Sequence, residues 1–186
     1  MLSICADISL QKDSNFTITD TEVTGMEKTD RVIEIGATKV LNGKIVAHFH
    51  SLVQPNFDYD KSVHQFLDID EDDLKTAPPI CDVLKAFKEF AGNDLLLIHN
   101  APFDVHYLNS EFSFLNFEMN NKVIDLCTVV NSPRPKALRK YLANMGIAAP
   151  DRYSVRNTLI IIEEILSQIG IVSERLNEVD LGESEE

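Results

Sequence analysis

Apolar and polar positions first fall into a clear rhythm at Phe16 to Gly25, FTITDTEVTG, which reads as a strand ending in a glycine turn. Side chains alternate along a strand, so Phe16, Ile18, Asp20 and Glu22 point one way. Met26 to Asp30 is a turn. Arg31 to Leu41 is a second strand, with Ile33, Ile35, Ala37 and Leu41 on one face. Asn42-Gly43 sits between two β-like runs and predicts a two-residue type I′ turn, whose central positions both need positive φ. Ile45 to Val53 returns as a third strand and stops at Pro55.

The period then changes. Residues 56 to 79 are irregular and acidic, above all from Asp68 to Asp73, and read as a solvated loop or short helix. After Pro78-Pro79, Ile80, Val83, Leu84, Phe87 and Phe90 recur at helical spacing until Gly92. Leu95 to His99 is short and wholly apolar, as a buried strand requires. His99 to Asp104, HNAPFD, opens a helix carrying Leu108, Phe112 and Leu115. Lys122 to Cys127 is a fifth strand containing Asp125, and Pro133 and Pro135 mark a loop. Lys136 to Met145 is a helix ended by Gly146. Asp151 to Tyr153 leads into a last helix that buries Val155, Leu159, Ile162, Ile165, Leu166 and Ile169. A meander of three strands followed by strands alternating with helices predicts an α/β fold, a mixed five-stranded sheet flanked by helices.

Composition narrows the class. A chain of 186 residues with 44% hydrophobic content has enough material for one domain with a sizeable core. Residues 1–15 form a lead-in, 16–170 the domain, and 171–186 an acidic tail; Ser173 to Glu186 holds six acids against one arginine. No apolar run reaches membrane-spanning length and the start lacks a basic signal-peptide region, so the reading is a soluble, cytoplasmic protein with no membrane partner. Cys5, Cys81 and Cys127 are odd in number and lack C-x-x-C spacing, which argues against a disulfide framework or zinc site. A net charge of −13 excludes broad electrostatic gripping of nucleic acid but leaves room for a small site that handles one strand end through metal ions.

The chemistry concentrates at strand ends. Asp20 and Glu22 stand two residues apart, and burying like charges is costly unless a hard divalent cation lies between them. A solvated strand end is the plain alternative. Asp104 opens a helix just after a buried strand, where ligands gather in sheets of this type, although an acid there also suits the helix dipole. If the first and fourth strands are neighbours, the three carboxylates converge.

DTEVTG, RVIEIGATKV, the NG hairpin, Val63-His64 and HNAPFD together resemble the DnaQ-like (DEDD-type) 3′–5′ exonucleases, which include proofreading epsilon subunits of bacterial DNA polymerase III. The resemblance runs from about Phe16 to Ile169. It implies a ribonuclease H-like sheet of strand order 3-2-1-4-5 with the second strand antiparallel. It also implies two divalent metals, Mg2+ or Mn2+, that activate a water and stabilise the leaving 3′ oxygen. Asp20 would bridge them, with Glu22 and Asp104 each holding one. Thr21, Gly25, His99 and Asn100 would meet the substrate, Gly25 by letting the terminal nucleotide approach the backbone.

The chain departs from this pattern at the last helix. The family places a histidine there, with an aspartate five residues later; Tyr153 and Thr158 occupy those positions, and no acid lies between Arg152 and Ile162. Threonine is a neutral, poor metal ligand. A tyrosine with a pKa of about 10 is a poor general base near neutrality. His99 and His106 are the nearest substitutes for the base. The departure leaves two readings. One is a metal-dependent exonuclease with impaired chemistry, acting on a single-stranded DNA 3′ end or nucleotide beside a replicative polymerase subunit. The other is a catalytically inactive, exonuclease-fold binding module for a replication or repair partner.

Overall fold

The computed structural model describes residues 1–6, 10–12, 14–27, 29–130, 142–148 and 154–173. Expectations for Pro133 and Pro135, for most of the helix from Lys136, for Tyr153 and for the tail beyond 173 lie outside these residues. Six strands form one sheet: β1 (Ser3–Ile4), β2 (Phe16–Val23), β3 (Val32–Leu41), β4 (Lys44–Leu52), β5 (Leu95–Ile98) and β6 (Lys122–Asp125). Their order is β1-β6-β5-β2-β3-β4. β3 is antiparallel to β2 and β4, whereas β5 runs parallel to β2 and β6. The five anticipated strands thus take the anticipated order. The sixth comes from the lead-in, where Ser3 and Ile4 pair in parallel with Lys122 and Val123.

Five helices lie wholly within the described residues, α1 (Glu71–Thr76), α2 (Ile80–Ala91), α3 (Ala101–Leu115), α4 (Leu126–Val129) and α5 (Val155–Gln168), and residues 142–144 are also helical. The acidic stretch forms α1, with Asp70 capping the Asp72 amide, and is preceded by a short 3₁₀ turn at Lys61–Gln65. The strand expected to reach Cys127 stops at Asp125. There the aspartate side chain accepts from the Cys127 amide and caps the start of α4. Asn42 and Gly43 both have positive φ, 52° and 73°, as the hairpin requires.

The sheet is covered on both sides. Val83, Leu84 and Phe87 of α2 and Leu108 and Phe112 of α3 share one core with Ile35, Ala37, Leu96 and Ile98. Val155, Leu159, Ile162, Ile165 and Leu166 of α5 share the other with Phe16, Ile18, Val40 and Leu97. Ile171 and Val172, beyond the helix, are buried in that second core, and the Ser173 amide donates to the Gly43 carbonyl at 2.8 Å. β2 is central, so its polar side chains except the half-buried Glu22 are buried: Thr17 donates to Asp94 at 2.7 Å and Thr21 to Asp104 at 2.7 Å.

Gly36 decides how closely α5 approaches. A Cβ built there would lie 2.1 Å from Val155 Cγ1 and 3.1 Å from Leu159 Cδ1. Both side chains are held in the core, so neither can swing clear. Gly36→Ala is expected to destabilise the protein by about 1–3 kcal/mol, the usual cost of overpacking, measured as a shift in the urea midpoint. Unchanged stability would show that α5 shifts freely.

Candidate functional site

β2 delivers two carboxylates to one end of the sheet. Asp20 lies opposite Gly36 and Glu22 opposite Glu34 in the antiparallel ladder, so all three acids share a face. Asp104 comes from the first turn of α3. The turn before it is built from the HNAPFD segment. Asn100 adopts a left-handed conformation, φ 57° and ψ 47°, and its amide donates to Asp125 Oδ1 at 3.0 Å. Asp104 Oδ1 in turn accepts from the Thr21 amide at 2.9 Å and the Thr21 hydroxyl at 2.7 Å. These bonds tie α3 to β2 and bring Asp104 to the acids of the strand.

The electrostatics report that convergence. Burial, then the charges of Asp104 and Glu22, hold the Asp20 carboxyl well above its ordinary range, while a hydrogen bond from Thr158 opposes them. Glu22 is pushed up to about 8 by burial, then by Glu34 and Asp104. Asp104 is raised to about 7, chiefly by burial, despite its bonds to Thr21. Among the described residues no ion pair reaches any of the three. Hard oxygen donors with unfavourable mutual charge are the chemistry that suits Mg2+ or Mn2+. The donor set therefore fits a divalent cation. The preformed three-ligand cluster anticipated from the sequence is not seen: among the described residues no group of three or more such side chains is arranged to hold a metal ion. Hydrogen bonding and repulsion account for this. Asp104 Oδ1 is occupied by Thr21, Asp20 is bonded to Thr158, and the carboxylates repel one another.

The remaining predicted residues have plain places. Thr158 lies in the first turns of α5, and its side chain lowers the Asp20 carboxyl against the effect of burial. His99 is largely buried, and desolvation lowers its pKa against the pull of Asp125, which favours the neutral ring. His106 is exposed and turned onto Tyr107, with ring centroids 5.1 Å apart; it is two residues past Asp104 and about 200° round the helix. Gly25 has a local reason to be glycine: a Cβ there would sit 2.5 Å from Asp30 Oδ2, in the turn that Asp30 closes through Thr24 and the Glu27 amide. His64 is held between the Tyr59 hydroxyl and the Ile69 carbonyl.

Two residues were not singled out from the sequence. Asp125 orders the HNAPFD turn, and Glu34 adds a buried carboxylate beside Glu22. The available signal was a lone glutamate between Ile33 and Ile35 in an otherwise apolar strand.

Comparison with known proteins agrees with this fold. The family model described as exonuclease matches residues 17–150. The PolC-type DNA polymerase III of Oceanobacillus iheyensis is 35% identical over 141 residues, covering 75% of this chain and 10% of the polymerase. That of Caldanaerobacter subterraneus subsp. tengcongensis is 39% identical over 114 residues, covering 61% of this chain and 8% of the polymerase. The chain thus spans no more than about a tenth of these curated relatives. Among solved structures, exonuclease X in complex with 5′ overhanging duplex DNA aligns with a TM-score of 0.59 at 20% identity, covering 83% of this chain and 93% of that one. Cell-death related nuclease 4 aligns at 0.67 and 14%, covering 83% and 64%. At these identities the structures establish the ribonuclease H-like fold.

The raised acids predict a pH dependence. The folded protein keeps its Glu22 proton to about pH 8, whereas an ordinary glutamate releases it near 4.5. This contribution to stability is full below the lower value and is lost as pH rises through the upper one. The melting temperature of metal-free protein is expected to fall between about pH 5 and 9, less steeply in Glu22→Gln, and Mn2+ is expected to flatten the fall. An equal slope in protein and variant would show that Glu22 carries no such linkage.

Proposed function

The chain belongs to the DnaQ-like 3′–5′ exonuclease family, and on that premise we propose that it is a metal-dependent exonuclease domain of proofreading type whose hydrolysis is slowed at Thr158 and Tyr153. One observation carries the reading: Asp20 and Glu22 share a face of the central strand, Asp104 is held to that strand by Thr21, and among the described residues no cationic side chain pairs with any of the three. The site keeps three of four expected acids.

Asp20, Glu22 and Asp104 are the residues that would hold divalent ions. Such ions supply activation of an attacking water and charge stabilisation at the leaving 3′ oxygen. The chain's own residues supply orientation. The Thr21 amide and hydroxyl fix Asp104, and Asp125 with Asn100 fixes the turn from which Asp104 projects. Thr158 can offer a hydroxyl but no negative charge, so one of two ions would be held weakly. Tyr153 would be a protonated neighbour rather than a base. The substrate is the 3′ end of single-stranded DNA, gripped locally because the net charge of −13 repels longer stretches. The natural setting is beside a replicative polymerase.

The substitutions at Tyr153 and Thr158 also motivate a second reading, a binding module for a replication or repair partner. Single-turnover release of a 3′ label from a DNA strand, with Mn2+, Mg2+ or a chelator, separates the two. Unaltered protein is expected to trim slowly and only with metal. Thr158→Asp raises metal affinity and rate, Tyr153→His alone changes little, and the double variant gains a further factor of about 10²–10⁴. No trimming by any variant favours the binding module. Restoration by Tyr153→His alone reverses the proposed order of the two defects.

A further inference from the structure

Glu34 is 3% exposed, yet it is not one of the three acids read as metal-holding. It faces α5 from β3, opposite Glu22. Its two oxygens have separate partners. Oε1 meets His50 Nε2 of β4 at 2.6 Å, and Oε2 accepts from the Val155 amide at 3.2 Å. Val155 is the first residue of α5. The leading amides of a helix have no partner within it, and a carboxylate suits the positive end of the helix dipole. Ser154 Oγ takes the Asn157 amide at 3.2 Å, and Glu34 takes that of Val155.

The start of α5 in turn reaches the acids. Val155 and Leu159 fill the space left by Gly36, which is the cross-strand partner of Asp20. The Thr158 side chain, one turn into the helix, acts on the Asp20 carboxyl and lowers its pKa. A continuous path therefore runs from Glu34 through the first turn of α5 to the side chain at position 158. Further along, Thr38 donates to Glu163 Oε1 at 2.7 Å and contacts His48 Nδ1 at 3.0 Å, which anchors the middle of the same helix to β3 and β4.

We propose that Glu34 is a positioning residue: by holding the Val155 amide it fixes the first turn of α5 on the sheet and so sets residue 158 against Asp20. The proposal rests on the reading of Asp20, Glu22 and Asp104 as the acids that hold metal. Glu34 acts through the helix. Both of its oxygens are already bonded.

The test compares two substitutions that remove the same charge. Glu34→Gln keeps an oxygen able to accept from Val155, and Glu34→Met keeps the length but loses the acceptor. Each is made with and without Thr158→Asp, and Mn2+ affinity is measured by the loss of the free-ion paramagnetic resonance signal. Thr158→Asp is expected to tighten Mn2+ binding about tenfold in the unaltered and Glu34→Gln proteins, and less than about threefold in Glu34→Met. Equal gains in the two Glu34 variants overturn the proposal, because the carboxylate would then act only by its charge.

If Glu34→Met does not fold, Val155→Pro removes the donor instead. Ser154 is extended, with φ −156° and ψ 154°, and the first helical position accepts proline. A full gain from Thr158→Asp in that variant overturns the proposal equally. Amide exchange of metal-free protein supplies the independent arm. The Thr158 amide, bonded to the Ser154 carbonyl at 3.0 Å, is expected to exchange about tenfold faster in Glu34→Met than in Glu34→Gln. Absence of Mn2+ binding in every protein defeats the metal-site reading. The exchange comparison then decides the role of Glu34, and equal protection defeats it.

Discussion

Asp20 and Glu22 project from one face of the central strand into a region where water is largely excluded, and burial of like charges there sets the terms for everything around them. Isolated carboxylates in such a place protonate or find partners. The structure combines both outcomes. Glu22 and Asp104 hold their protons to about 8 and about 7, and Asp104 leans on Thr21 while Asp20 leans on Thr158. The hydrogen bonds that make the acids tolerable are also the bonds that orient them. A divalent cation would relieve the same repulsion more completely, which is why fold stability and site chemistry are linked through these side chains.

The helix α5 is the second element on which the site depends. Its approach to the sheet is set by a missing side chain at Gly36 and by Glu34 at its first amide. Close packing here is more than core filling, because the same helix carries position 158. The side of the sheet covered by α2 and α3 is mostly an apolar core, with the buried Glu111 of α3 paired to Arg31 within it.

The strongly acidic composition fits this arrangement. A chain of net charge −13 has little to offer a nucleic-acid backbone at long range. Under the proposed reading, recognition would come from short-range features at one end of the sheet. That end is where a strand terminus, a left-handed turn at Asn100 and the first turns of two helices meet.

The strand order was implied by resemblance to a known family, while the sequence by itself determined the succession of strands and helices, the hairpin at Asn42-Gly43 and the candidate acids Asp20, Glu22 and Asp104. These come from local periodicity, turn chemistry and a set of short motifs, all of which are written along the chain. It also marked position 158 as the place where an acid is replaced. Tertiary structure decided the rest. The ladder register put Glu34 beside Glu22, and helix docking put the Val155 amide on Glu34 and Thr158 on Asp20. The short edge strand at Ser3–Ile4 exists only because β6 offers it a partner. Such pairings join residues up to 138 positions apart, Thr158 and Asp20 among them. Their side chains meet only once sheet and helix have packed, because a pattern read along one strand or one helix carries no information about which face of another element lies opposite.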